Sequence, residues 1–347
     1  MQGFTRFLVD FREEHLYLNG VMEEFTTSFS APAQFSETSV SSTWGAVPLP
    51  TRPTPDEAFR YCAAITEEHA ENFPVASLFL PEEKRPYLQA IYAFSRIADD
   101  FADELEVSPG ERLARLQDWE TMLVDSFNGR ADHPVFVALA ETFNRCKVPI
   151  EPFTDLLSAF KRDVVQNRYE SFEDLLSYCR CSANPVGRLV LMVFGHRDEE
   201  IFKCSDAICT ALQLTNFWQD VFVDVKKNRL YLPLEDLNRF GYTEDHWRRG
   251  VADERFRTLL GFELDRTKAL FYEGAGLPSR VERELAVELR MVWFGGMAIL
   301  RKLERRGVAP TSRPRLTGVD KVGILFRSLF YNDLSRYGRK KKQWDLT

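Results

Sequence analysis

Two pairs of aspartates, each spaced four residues apart, carry the chemistry in this chain. The first lies in the segment 88–104, where Tyr92, Arg96, Asp99 and Asp103 fall on one face of a helix with 3.6 residues per turn. Carboxylates at i and i+4 repel by a few tenths of a kcal/mol on an exposed helix. A divalent cation between them removes that repulsion. In the second segment, 212–224, Gln213, Asn216, Asp220 and Asp224 step by three, four and four. Leu212, Leu214, Phe217, Val221, Phe222 and Val223 flank this polar stripe, which predicts a buried seam, because an unpaired buried charge is costly. Lys226, Lys227, Arg229 and Tyr231 follow at once. Oxygen donors of this kind suit Mg²⁺, which bridges a few carboxylates to phosphate oxygens. The corresponding chemistry is departure of a diphosphate whose developing charge is neutralised by metal and basic side chains. One such stripe alone reads as a solvated helix face; two, each beside an arginine, read as a clamp.

The elements that must position these residues are helices. From Asp56 onward apolar residues recur three and four apart, and no β-type alternation persists. Pro81, Pro109-Gly110, Pro149 with Pro152, Gly195, Gly241, the stretch 274–278, and Pro310 with Pro314 punctuate the pattern as turns. The expected fold is all-α: one helical domain over 56–310, a flexible extension over 1–55 and a helical, basic tail over 311–347. Residues 26–55 are rich in Ser, Thr, Pro and Ala, a linker composition. Ahead of them Phe4, Phe7, Leu8, Phe11 and Leu18 share a helical face, which could dock or could belong to a poorly ordered extension. The net charge of −7 argues against a nucleic-acid partner. Six scattered cysteines without a CxxC pair, and no secretory signal, point to a reduced, cytoplasmic setting. No run is long enough to span a bilayer. No stable protein partner is evident. The 28 Phe residues could fill a core or line a long apolar pocket.

At these residues, over about 61–307, the chain resembles the squalene/phytoene synthase family. The likeness implies a single-domain helical bundle around a central cavity, Mg²⁺ as cofactor and an isoprenoid diphosphate as substrate. It assigns Asp99 and Asp103 to the first metal motif, and Asp220, Asp224 and Asn216 to the second. Tyr92, Arg96, Gln213, Arg229 and Tyr231 match positions lining the diphosphate and allyl sites. Tyr178, Ala183 and Gly187 match a helix break that passes the substrate tail. The motifs from His69 through Asn72 and Phe73 to Ser77, from Ser182 to Gly187, and from Asn216 to Asp220 are similar to the bacterial hydroxysqualene synthase branch of hopanoid biosynthesis. That branch ionises presqualene diphosphate and quenches the cation with water. The chain departs from the wider family at Asn72, where Ser is usual, and at Gln219, where Arg is usual; Asn72 or Asn184 could position the water.

Other readings find less support. A di-iron bundle needs Glu-x-x-His, and none of the five histidines has a Glu three residues earlier. The run 318–323 starts like a P-loop but lacks its Lys-Ser/Thr, and no Gly-x-Gly-x-x-Gly supports a bound NADPH. His69 could shuttle protons or serve only structure. Arg336, Arg339 and Lys340 to Lys342, near Phe330 and Trp344, could touch an anionic membrane or form a plain solvated tail. Condensation of prenyl diphosphates is the alternative reaction, and a non-catalytic lipid-binding scaffold the alternative of another class.

Overall fold

The computed structural model describes residues 52–68, 80–103, 107–307, 313–331 and 334. Every regular element in it is helical. We number the α-helices in chain order: α1 Pro55–Glu68, α2 Arg85–Asp103, α3 Pro109–Phe127, α4 Pro134–Cys146, α5 Glu151–Val165, α6 Phe172–Ser182, α7 Asn184–Val193, α8 Glu199–Asp220, α9 Leu234–Arg239, α10 Glu244–Arg248, α11 Glu254–Glu273, α12 Arg283–Arg306 and α13 Gly318–Phe330. Short 3₁₀ turns occupy Asp224–Lys227 and Gly274–Ser279.

Local chemistry sets these boundaries. Ser108 accepts from the Glu111 N–H with Pro109 at the first helical position, Ser171 accepts from Asp174 N–H, and Thr317 forms a capping box with Asp320. Pro109-Gly110 therefore opens a helix, and Gly274 to Ser279 continue α11 as 3₁₀ structure instead of forming an open turn.

Two helical groups meet along α8. α1 and α4 pack on α2, and α5 packs on α2, α3 and α6; α7, α11 and α12 surround α8. Four buried indoles bind this frame together by donating to Phe94 O, Thr267 Oγ1, Val221 O and Phe271 O from Trp119, Trp218, Trp247 and Trp293. Gly187 and Gly296 mark the closest approaches: a Cβ on Gly187 would overlap Ser205 and Cys209 of α8, and one on Gly296 would overlap Phe271 of α11. One buried acid stands apart. Glu288 of α12 is 8% exposed and its Oε2 has no hydrogen-bond partner among the described residues. Burial alone raises its carboxyl to about 8.

Candidate active site

The first acidic stripe occupies the last turns of α2. Tyr92 and Asp99 are buried there, and Arg96 bonds Asp100 while its Nη1 lies 3.9 Å from Asp99 Oδ2. The second stripe is interrupted. α8 ends at Asp220, and Asp224 starts the 3₁₀ turn, partly exposed. The indole of Trp247 donates 2.8 Å to Val221 O, the first carbonyl past that helix end. Beyond the turn Asn228 adopts a left-handed φ of 52°, which asparagine tolerates, and reverses the chain. Leu230 N–H then bonds Asn167 O at 3.0 Å, so Arg229 points back towards α2.

This reversal joins the two acidic segments. Arg229 donates to both Asp103 carboxylate oxygens, at 2.5 and 3.0 Å, and to Asp163 O at 3.1 Å. Lys227 adds a contact of 3.1 Å to Asp103 Oδ2. The two aspartates of α2 consequently differ in acidity. Burial, reinforced by the neighbouring Asp103 charge, pushes Asp99 up to about 6. Burial also opposes ionisation of Asp103, but the Arg229 and Lys227 charges outweigh it and hold that carboxyl well below the usual range.

Three site residues carried no catalytic signal in the sequence reading. Asp163 is buried at the end of α5, accepts the Tyr178 hydroxyl at 2.8 Å, and has its carboxyl raised by burial. Its one sequence cue is position: it extends the buried stripe Phe153, Leu156, Leu157 and Phe160 by three residues. Arg313, in the segment ahead of α13, bonds Asp220 at 2.5 Å from Nε and 3.3 Å from Nη2. A loop arginine 93 residues from its partner leaves no periodic trace. Gln219 fixes that segment by donating to Pro314 O at 2.5 Å. Tyr169 completes an aromatic wall: Tyr231 stacks on Phe217 at 3.8 Å and 6°, with Tyr169 at 5.6 Å and Tyr178 at 6.2 Å. Burial first, and Asp163 next, raise the Tyr178 and Tyr231 hydroxyls well above their ordinary range, so both stay protonated phenols.

Asn216 and Gln213 line the same face of α8 as Asp220. Both amides are buried, and neither the nitrogen nor the oxygen of either has a hydrogen-bond partner among the described residues. Each such group costs about 1–3 kcal/mol unless something else satisfies it. The donor set of carboxylate and amide oxygens fits a hard divalent cation. Even so, no three His, Cys, Asp or Glu side chains among the described residues already converge as a metal cage. Basic side chains hold the carboxylates instead. Ala183 sits at the break between α6 and α7, with φ −121° and ψ −48°, and Gly187 brings α7 onto α8. Asn184, also at the break, accepts from Thr210 Oγ1 at 2.9 Å. His69, Asn72 and Phe73 lie outside the described residues.

The chain is similar to proteins of known activity. A hydroxysqualene synthase of Zymomonas mobilis subsp. mobilis is 37% identical over 227 residues, covering 64% of this chain and 75% of that protein. A 15-cis-phytoene synthase of Synechococcus elongatus is 32% identical over 272 residues, covering 74% and 87%. The crystal structure of squalene synthase HpnC from Alicyclobacillus acidocaldarius superposes with a TM-score of 0.70 at 43% identity, covering 73% of this chain and 95% of that one. The family model for squalene/phytoene synthase matches residues 66–320, which span both acidic segments, and the chain belongs to that family.

Proposed function

We propose that this chain ionises presqualene diphosphate in a Mg²⁺-dependent reaction and captures the resulting cation with water, giving hydroxysqualene and diphosphate. The observation that carries the reading is the Arg229 bridge, which brings the two acidic segments together beside the wall of Tyr169, Tyr178, Phe217 and Tyr231. Asp99, Asp103, Asp220, Asp224 and the Asn216 amide are the groups that would hold the metal. When bound, Mg²⁺ neutralises charge on the departing diphosphate. Arg96, Arg229 and Arg313 bind the diphosphate oxygens, and Gln213 orients the group from α8. The electron-rich ring faces stabilise a passing cation without supplying a nucleophile. Tyr178, kept protonated, commits its O–H to Asp163 and so holds that carboxyl and its own ring in place beside the wall. Similarity to the hydroxysqualene synthase favours water capture.

The phytoene synthase relatives support a second reading, condensation of two prenyl diphosphates. Purified protein with Mg²⁺ and either presqualene diphosphate or farnesyl diphosphate, with products read by mass spectrometry, separates the two. An alcohol from presqualene diphosphate without turnover of farnesyl diphosphate is the expected result. Consumption of farnesyl diphosphate would move the enzyme to the condensing branch.

A further inference from the structure

Helix α13 buries Ile324 but turns much of its apolar surface outward. Its buried positions include Ser328, and its one acid, Asp320, is turned to Lys302 at 2.5 Å and to its own N-cap. Its outward positions, Arg327 apart, are mainly apolar: Val319 is 84% exposed, Phe326 64% and Phe330 69%, with Val322 and Leu329 between them. Spaced three, four, three and one apart, these five side chains form one stripe along the whole helix. An exposed apolar stripe of this kind marks a docking surface. The family model stops matching at residue 320, so most of the stripe lies beyond it. No helix among the described residues is long and apolar enough to cross a membrane.

We infer that the α13 face is a docking surface for an anionic lipid bilayer, on which the helix lies flat. Charge identifies the occupant. The chain as a whole carries −7, yet residues 332–347 place Arg336, Arg339, Lys340, Lys341 and Lys342 against only Asp333 and Asp345, with Trp344 beside them. An apolar helix face followed by a short basic and aromatic segment matches the layered chemistry of acyl chains and anionic headgroups. A symmetric pairing of two α13 faces would instead bring two such cationic segments together. The inference rests on the fold and charge, and stands whichever isoprenoid diphosphate the enzyme uses.

The test is flotation of the full chain with phosphatidylcholine vesicles made with or without phosphatidylglycerol, at low and high salt. The expected result is co-flotation with the anionic vesicles alone, weakened by salt. The double variant F326E/F330E should reduce the bound fraction by about tenfold, and K340Q/K341Q/K342Q should remove the salt dependence. Phe326 and Phe330 lie at solvent, so circular dichroism of F326E/F330E should match the parent. Equal flotation of parent and F326E/F330E would overturn the proposal. So would a parent that fails to float but does so once residues 1–51 are deleted, since that places the N-terminal segment on the face. A dimer of the parent that F326E/F330E dissociates, without vesicle binding, would assign the face to a second copy.

Discussion

Asp99 and Asp103 lie one turn apart on α2 yet do different physical work. Asp103 is locked to Arg229, so D103N leaves a buried guanidinium without its partner and should lower stability by about 3 kcal/mol. Asp99 is ionised against burial, so D99N should melt no lower than the parent while turnover falls at least about 100-fold. Chemical denaturation of both variants checks the contrast; equal destabilisation would contradict it. D220N should also abolish turnover. Glu288 gives a separate test through pH. Its folded carboxyl titrates near 8 against an ordinary 4.5, so its favourable contribution is complete below about pH 4.5 and is lost as pH rises towards 8. E288Q cannot ionise, and it should gain on the parent by a few kcal/mol between about pH 5 and 8.5. A constant gap between the two melting curves across that range would show that Glu288 is not the titrating group. At this scale the sequence disclosed the four aspartates, because repulsion at i, i+4 is a local anomaly. It did not disclose Arg313 or the role of Asp163, whose partners are brought in by tertiary structure.

The helices were legible because most are amphipathic and about half open on an expected capping residue, as at Ser108, Ser171, Asp198, Thr243, Asp253 and Thr317. Their ends at the site were less so. The stripe Gln213, Asn216, Asp220 and Asp224 looks like one helix face, but α8 stops at Asp220, where Trp247 takes the Val221 carbonyl. Nothing in the local pattern announces a tryptophan supplied from 26 residues further on. The helix break at Ala183, inferred from likeness, is present, and it depends on Gly187 for the close approach of α7 to α8. G187V should push these helices apart, cost about 1–3 kcal/mol and disturb the Asn184–Thr210 hydrogen bond. Thermal melting together with the product profile measures both effects. An unchanged melting temperature would mean that the helices absorb the side chain without strain.

For the molecule as a whole, composition and periodicity were enough for an all-α domain. They could not say that residues 313–314, far along the chain, would return to cover the end of α8. The resting site therefore carries its own counter-ions: Asp103 with Arg229 and Lys227, Asp220 with Arg313. Chelators should leave the melting temperature unchanged, since these pairs need no metal to be neutral. The same pairing ties two binding equilibria together. Asp103 and Asp220 can turn to a divalent cation only by releasing Arg229 and Arg313, and those guanidiniums then need another anion. A diphosphate meets that need, so Mg²⁺ and diphosphate should each tighten the other's binding by the same factor. Either ligand alone would then compete with an internal ion pair, while the two together exchange partners with it. On the proposed reading, the site would stay closed to free metal and charge only when substrate arrives.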